Sequence, residues 1–148
     1  MDPRLSYREA AVRGANPVGL VVLLYEQVIE DLRRALAAVG RGDVEARTRE
    51  INHAIVVIAH LQATLDKEQG GDVAITLGRF YDQVRAGLVE AQCRQSATLL
   101  EQQISHLMQV HEAWREVERS QAPQAVAAAR PAPPLAESGA RSAQGWSA

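Results

Sequence analysis

The chain has one cysteine, Cys93, which rules out an internal disulfide and any zinc site built from several thiolates. Proline is absent between Pro17 and Pro123, so nothing in that stretch forces a helix to break. No sign of charge dominates. The net charge is -2, with no basic excess pointing to nucleic acid or to an anionic membrane surface. Long apolar runs are missing as well: the longest, LVVLLY at Leu20 to Tyr25, is far short of the roughly 20 residues needed to span a bilayer. The first residues, MDPRLSYREAAVRG, carry charges where a secretory signal needs an apolar centre. No stretch alternates as a strand does. A cytoplasmic protein of one domain plus an appendage is expected from the 148 residues.

What is present is apolar periodicity at helical spacing. Asn16-Pro17 is a helix start, a capping acceptor followed by proline at the first helical position. The first helix is expected to run to Val39 and stop at Gly40-Arg41-Gly42. Asp43 caps a second, with a stripe of Val44, Thr48, Ile51, Ile55, Ile58 and Leu65. Gly70-Gly71 is expected to end it and Asp72 to cap a third, carrying Val73, Leu77, Phe80, Tyr81, Val84 and Leu88. Ser96 caps a fourth, with Leu100, Ile104, Leu107, His111 and Trp114. Short connections between helices of similar length predict an all-α, antiparallel up-down-up-down four-helix bundle over residues 16–120. A leader, residues 1–15, precedes it. The Pro, Ala, Ser and Gly bias of residues 121–148 predicts a disordered tail, with Trp146 a lone aromatic in it.

Chemistry finds little foothold. Phosphate-binding glycine loops join a strand to a helix and end in Gly-Lys-Ser/Thr, whereas Gly70-Gly71 follows a helix and Lys67 precedes it. Glu50-Ile51-Asn52-His53 is one Glu-x-x-His step. A di-iron bundle needs two such steps, and Gln103 and Met108 stand where helix four would need its glutamates, three residues before His106 and His111. His53 and His60 share a helix face, as the exposed histidine of a phosphotransfer bundle would, but Leu61-Gln62-Ala63-Thr64 supplies no cation beside His60. His111, beside Trp114 on the core stripe, is placed to bond a neighbouring helix. HEAWR at His111 lacks the second histidine of HExxH. Neither enzyme activity, nor a cofactor, nor a metal is expected. The informative feature is a surplus: Val18 and Leu20 to Tyr25 are apolar nearly all round the helix, and Ile55-Val56-Val57-Ile58 repeats the excess. A bundle helix needs one stripe only, so the rest is a binding surface, a homodimer face or a surface covered by the leader.

One pattern runs through Tyr7, Asn16-Pro17 with Leu24-Tyr25-Glu26, Gly42-Asp43, Ile51-Asn52-His53-Ala54-Ile55-Val56-Val57-Ile58, Leu65-Asp66-Lys67-Glu68-Gln69-Gly70-Gly71-Asp72-Val73-Ala74, Leu77 with Phe80-Tyr81-Asp82, and Ala113-Trp114. Together these segments resemble the flagellar secretion chaperone FliS family. The match covers about residues 7 to 116 in one register. The resemblance implies a cytoplasmic chaperone that holds the disordered C-terminal segment of flagellin, prevents premature polymerisation and helps present it to the flagellar export gate. Its candidate client-binding residues are Tyr7, Leu20, Leu24, Tyr25, Ala54, Val57, Leu61, Leu77 and Tyr81. The leader is expected to act as a mobile cover, and the apolar surplus to allow weak self-association. Nucleic-acid binding and membrane insertion are not expected. The other readings are a histidine phosphotransfer-type signalling bundle and a homodimeric helical adaptor.

Overall fold

The computed structural model describes the backbone of residues 17–129 and the side chains of residues 17–120. The leader with Tyr7, the Asn16 cap, and the tail from 130 on with Trp146 lie outside the described residues. Four helices follow in order: α1 Pro17–Arg41, α2 Val44–Ala63, α3 Lys67–Arg94 and α4 Ala97–Ala129. Side-chain bonds between them give the directions. Asp31 meets His53 and Arg34 meets Glu50, so numbering on α2 falls as it rises on α1. Arg47 bonds Gln92 and Gln62 bonds Asp82, which runs α3 against α2. Glu26 meets His111 and Arg33 meets Met108, which runs α4 against α1. The result is the expected antiparallel four-helix bundle, and its core holds Leu24, Val28 and Leu32 of α1, Ile51, Ala54 and Ile58 of α2, Val84 and Leu88 of α3, and Leu100 and Leu107 of α4. Each large aliphatic side chain removed from water in this way stabilises the fold by roughly 1.5–3 kcal/mol before entropy is counted.

The chain divides into two compact units, Met1–Trp114 and Arg115–Ala148. The bundle contacts above belong to the first. In the second, the backbone stays helical to Ala129, within the segment whose composition suggested a disordered tail. The alanines there have the highest helix propensity of any residue. Arg119 bonds Glu116, and the Ser120 hydroxyl donates to the Val117 carbonyl.

The corners show where local chemistry decides. Gly42 takes a positive φ of 70°, and the Asp43 carboxylate accepts from the Ala46 N–H at 3.0 Å, as expected of that cap. That backbone bond is the main reason the Asp43 carboxyl sits below its ordinary range. Ser96 Oγ accepts from the Leu99 N–H at 3.1 Å and caps α4, also as expected. The Gly70-Gly71 corner is different. The second helix ends at Ala63, where Thr64 Oγ1 donates to the Leu61 carbonyl, and Asp66, not Asp72, caps α3 by accepting from Glu68 and Gln69 N–H. Gly71 then sits inside α3 as a kink at φ 54°, ψ −130°, a conformation open essentially to glycine alone. A capping carboxylate two residues past a threonine competes earlier in the chain than a glycine pair does, and it closes the corner first.

Candidate functional site

Helix α2 turns a different face inward from the one the stripe suggested. Val57 and Ile58 are both fully buried, Ile55 is half-buried, and Val56 is 62% exposed. The cause is a polar seam between α1 and α2. The buried Asp31 carboxylate receives Gln27 Nε2 and Arg34 Nη2, each at 2.8 Å, and pairs with His53 Nδ1, while Arg34 Nε also reaches Glu50 at 3.3 Å. These pairs pin Glu50 and His53 toward α1, which carries Ala54, Val57 and Leu61 inward with them. The Glu50-x-x-His53 step is thereby occupied by structural pairing. Among the described residues no group of three or more His, Cys, Asp or Glu could hold a metal ion. His111 does reach a neighbouring helix, with Nε2 2.9 Å from Glu26 Oε2. His60 is exposed.

The nine candidate client-binding residues therefore separate. Leu24, Tyr25, Ala54, Val57, Leu61 and Tyr81 are buried, so as the chain stands they are core rather than surface. Tyr25 donates from its phenol to Tyr81 at 2.9 Å, with ring centroids 6.2 Å apart, and Trp114 hydrogen-bonds Tyr25. This links α1, α3 and α4. Burial pushes both phenols up from their ordinary value, Tyr81 strongly, and the neighbouring Tyr25 adds to the rise at Tyr81. Leu20 and Leu77 are half-buried against the core and keep an open side, as does Val21 of the α1 surplus, and Leu23 is half-buried. Tyr7 lies outside the described residues. Val73, placed on the α3 stripe by its spacing, is 67% exposed because the Gly71 kink starts the regular part of α3 in a different phase.

Sequence reasoning had not singled out the two grooves that flank α4. One, of about 480 Å³, lies between α3 and α4 over Phe80, Val84 and Val110; Gln83, Gln103, Gln109 and His106 are its polar lining. The other side of α4 meets α1 in two adjoining hollows that share Arg33 and Met108. Their apolar floor includes Ile29, Leu36 and Ile104, and their rim carries Glu26, Glu30 and Glu101. The only hint in the sequence was the run of glutamines on α4, at Gln102, Gln103 and Gln109, which reads as ordinary solvated helix.

The bundle thus carries open, partly apolar grooves between its helices, the kind of surface that takes amphipathic helices in other proteins, and uses its polar pairs for packing. The family model "Flagellar protein FliS" matches residues 2–121, and the chain belongs to that family of flagellar secretion chaperones. It is 34% identical over 110 residues to the flagellar secretion chaperone FliS of Salmonella typhimurium, covering 74% of this chain and 82% of that protein. It is 36% identical over 106 residues to FliSB of Pseudomonas aeruginosa, covering 72% and 84%, and 23% identical over 120 residues to FliS of Bacillus subtilis, covering 81% and 89%. Among the described residues no helix is long and apolar enough to cross a membrane.

Proposed function

We propose that this chain works in the cytoplasm as the export chaperone of flagellin, holding the C-terminal segment of the subunit so that it neither polymerises early nor becomes unfit for secretion through the flagellar export gate. Family membership supports the class of activity. The observation that carries the reading in this chain is the pair of open grooves along α4, both floored with aliphatic side chains. An amphipathic segment laid into such grooves loses its apolar surface to the bundle and is no longer available to a second subunit. No covalent step is needed, and the chain is not an enzyme in this reading. Leu20 and Leu77, half-buried outside the groove linings, offer further apolar surface to the client, while Leu24, Tyr25, Ala54, Val57, Leu61 and Tyr81 hold the bundle together. The leader with Tyr7 covers part of the client surface until it is displaced.

The test is to mix the protein with the C-terminal segment of flagellin from its own organism and measure co-elution and calorimetry. The expected result is a one-to-one complex with a large negative heat-capacity change, the mark of buried apolar surface. No heat and no co-elution at about 10–100 μM, where even a weak complex forms, would refute the reading.

A further inference from the structure

The grooves on the two sides of α4 differ in one property. Glu26, Glu30, Arg33 and Glu101 line the α1 side, whereas the α3 side has no acid, lysine or arginine in its lining. In a chain where 23% of residues are charged, the polar positions there are three primary amides and His106. Gln83 and Gln109 are exposed at the rim; Gln103 is only 8% exposed.

Gln103 owes its position to the absence of a side chain opposite. A Cβ on Gly87 would lie 2.4 Å from Gln103 Nε2 and 2.6 Å from its Cδ, closer than atoms can approach. Gly87 is helical with an ordinary φ, so its backbone does not require glycine; a Cβ there would instead push the flexible end of Gln103 out of its present place. The amide is thus set between α3 and α4 at one end of the groove. Seven residues back along α3 from Gly87, about 10 Å at the helical rise, lies Phe80 at the other end. A primary amide offers both donors and an acceptor, so it pairs with another amide or a hydroxyl in either sense. An ionised group brought into the same space would lose part of its water without meeting a permanently charged side chain.

We propose that the α3/α4 groove is a neutrality filter. It docks an uncharged stretch of the client whose apolar residues lie on Phe80 and Val110 while an Asn, Gln, Ser or Thr side chain pairs with Gln103, and Gly87 is the positioning residue for that amide. The inference rests on the flagellin-binding reading and names which part of the client this side of α4 accepts.

Calorimetry with the flagellin C-terminal segment tests it. Gln83→Glu adds charge at an exposed rim position of this groove alone, without disturbing the core. This variant is expected to bind about tenfold more weakly at an unchanged melting temperature. Gln102→Glu, exposed on α4 but outside the groove, is the control and should bind within about twofold of the parent. Gly87→Ala and Gln103→Ala should each weaken binding, and the two together should cost no more than the worse one, since both remove the same placed amide. A single Asp scanned through the flagellin segment should be rejected most strongly within one uncharged stretch. If the parent binds and the Gln83→Glu protein binds equally well, the filter is refuted while the chaperone reading stands. If the parent itself does not bind, both are refuted.

Discussion

A carboxylate at position 57 and one at position 56 should have opposite fates. Val57 has no exposed surface and packs with Ala54, Ile58 and Leu61, so Val57→Asp places a charge where neither water nor a cation reaches it. A loss of about 4 kcal/mol or more, or outright failure to fold, is expected. Val56, one residue on and mostly exposed, should accept aspartate within about 0.5 kcal/mol. Urea midpoints of the two variants check the pair, and a Val57→Asp protein as stable as its parent would contradict the packing of α2. The phenols of Tyr25 and Tyr81 make a second test. Burial raises both above their ordinary value of 10.0, so between that pH and the folded-state value the unfolded chain gives up protons that the folded chain keeps. Their contribution is intact below pH 10 and is lost as pH rises above it, by up to about 1.4 kcal/mol per pH unit for each phenol. Denaturant melts from pH 9 to 11 should show this decline, and Tyr25→Phe should make it shallower. The same substitution removes the hydrogen bond to Tyr81, at a cost of about 1 kcal/mol at neutral pH.

At the scale of elements, the corner between α2 and α3 separates two ways of closing a helix. Asp66 accepts two backbone N–H groups and Asp72 is exposed, so Asp66→Ala should cost about 1 kcal/mol and Asp72→Ala a few tenths at most. Gly71→Ala should cost about 1–3 kcal/mol, because the kink angles suit only glycine. Thermal melts of the three variants would rank them, and a larger loss at Asp72 than at Asp66 would put the cap back where the glycine pair suggested. This corner also shows what could be read from the residues. Gly42-Asp43 and Ser96 carry their turn chemistry within three residues and were legible, as were the helix count and the α4 stripe of Leu100, Ile104 and Leu107. The α2 face was not, because it depends on Asp31 and Arg34 of another helix reaching His53 and Glu50. The α3/α4 groove was hidden for the same reason: Gly87 gains its meaning only from Gln103, sixteen positions away in sequence.

For the whole molecule, the small net charge and the uneven placement of charge around α4 bear on how a client is held. Charges on an open rim attract over about 30 Å at 0.01 M salt and only about 8 Å at 0.15 M, so binding that depends on them weakens as salt rises. Apolar burial has no such dependence and is, if anything, strengthened by excluded salts such as sulfate. A segment seated mainly over Phe80 and Val110 should therefore keep its affinity when salt goes from 0.01 to 0.15 M, changing by no more than about threefold. One held mainly by Glu26, Glu30 and Glu101 would instead need basic residues and should bind at least about tenfold more weakly at the higher salt. Titrating the flagellin segment at both salts in the same calorimeter distinguishes the two sides of α4. The expected outcome is a nearly salt-independent affinity with a heat-capacity change that stays large and negative. A steep loss of affinity would move the main client contact to the acid-rimmed hollows against α1.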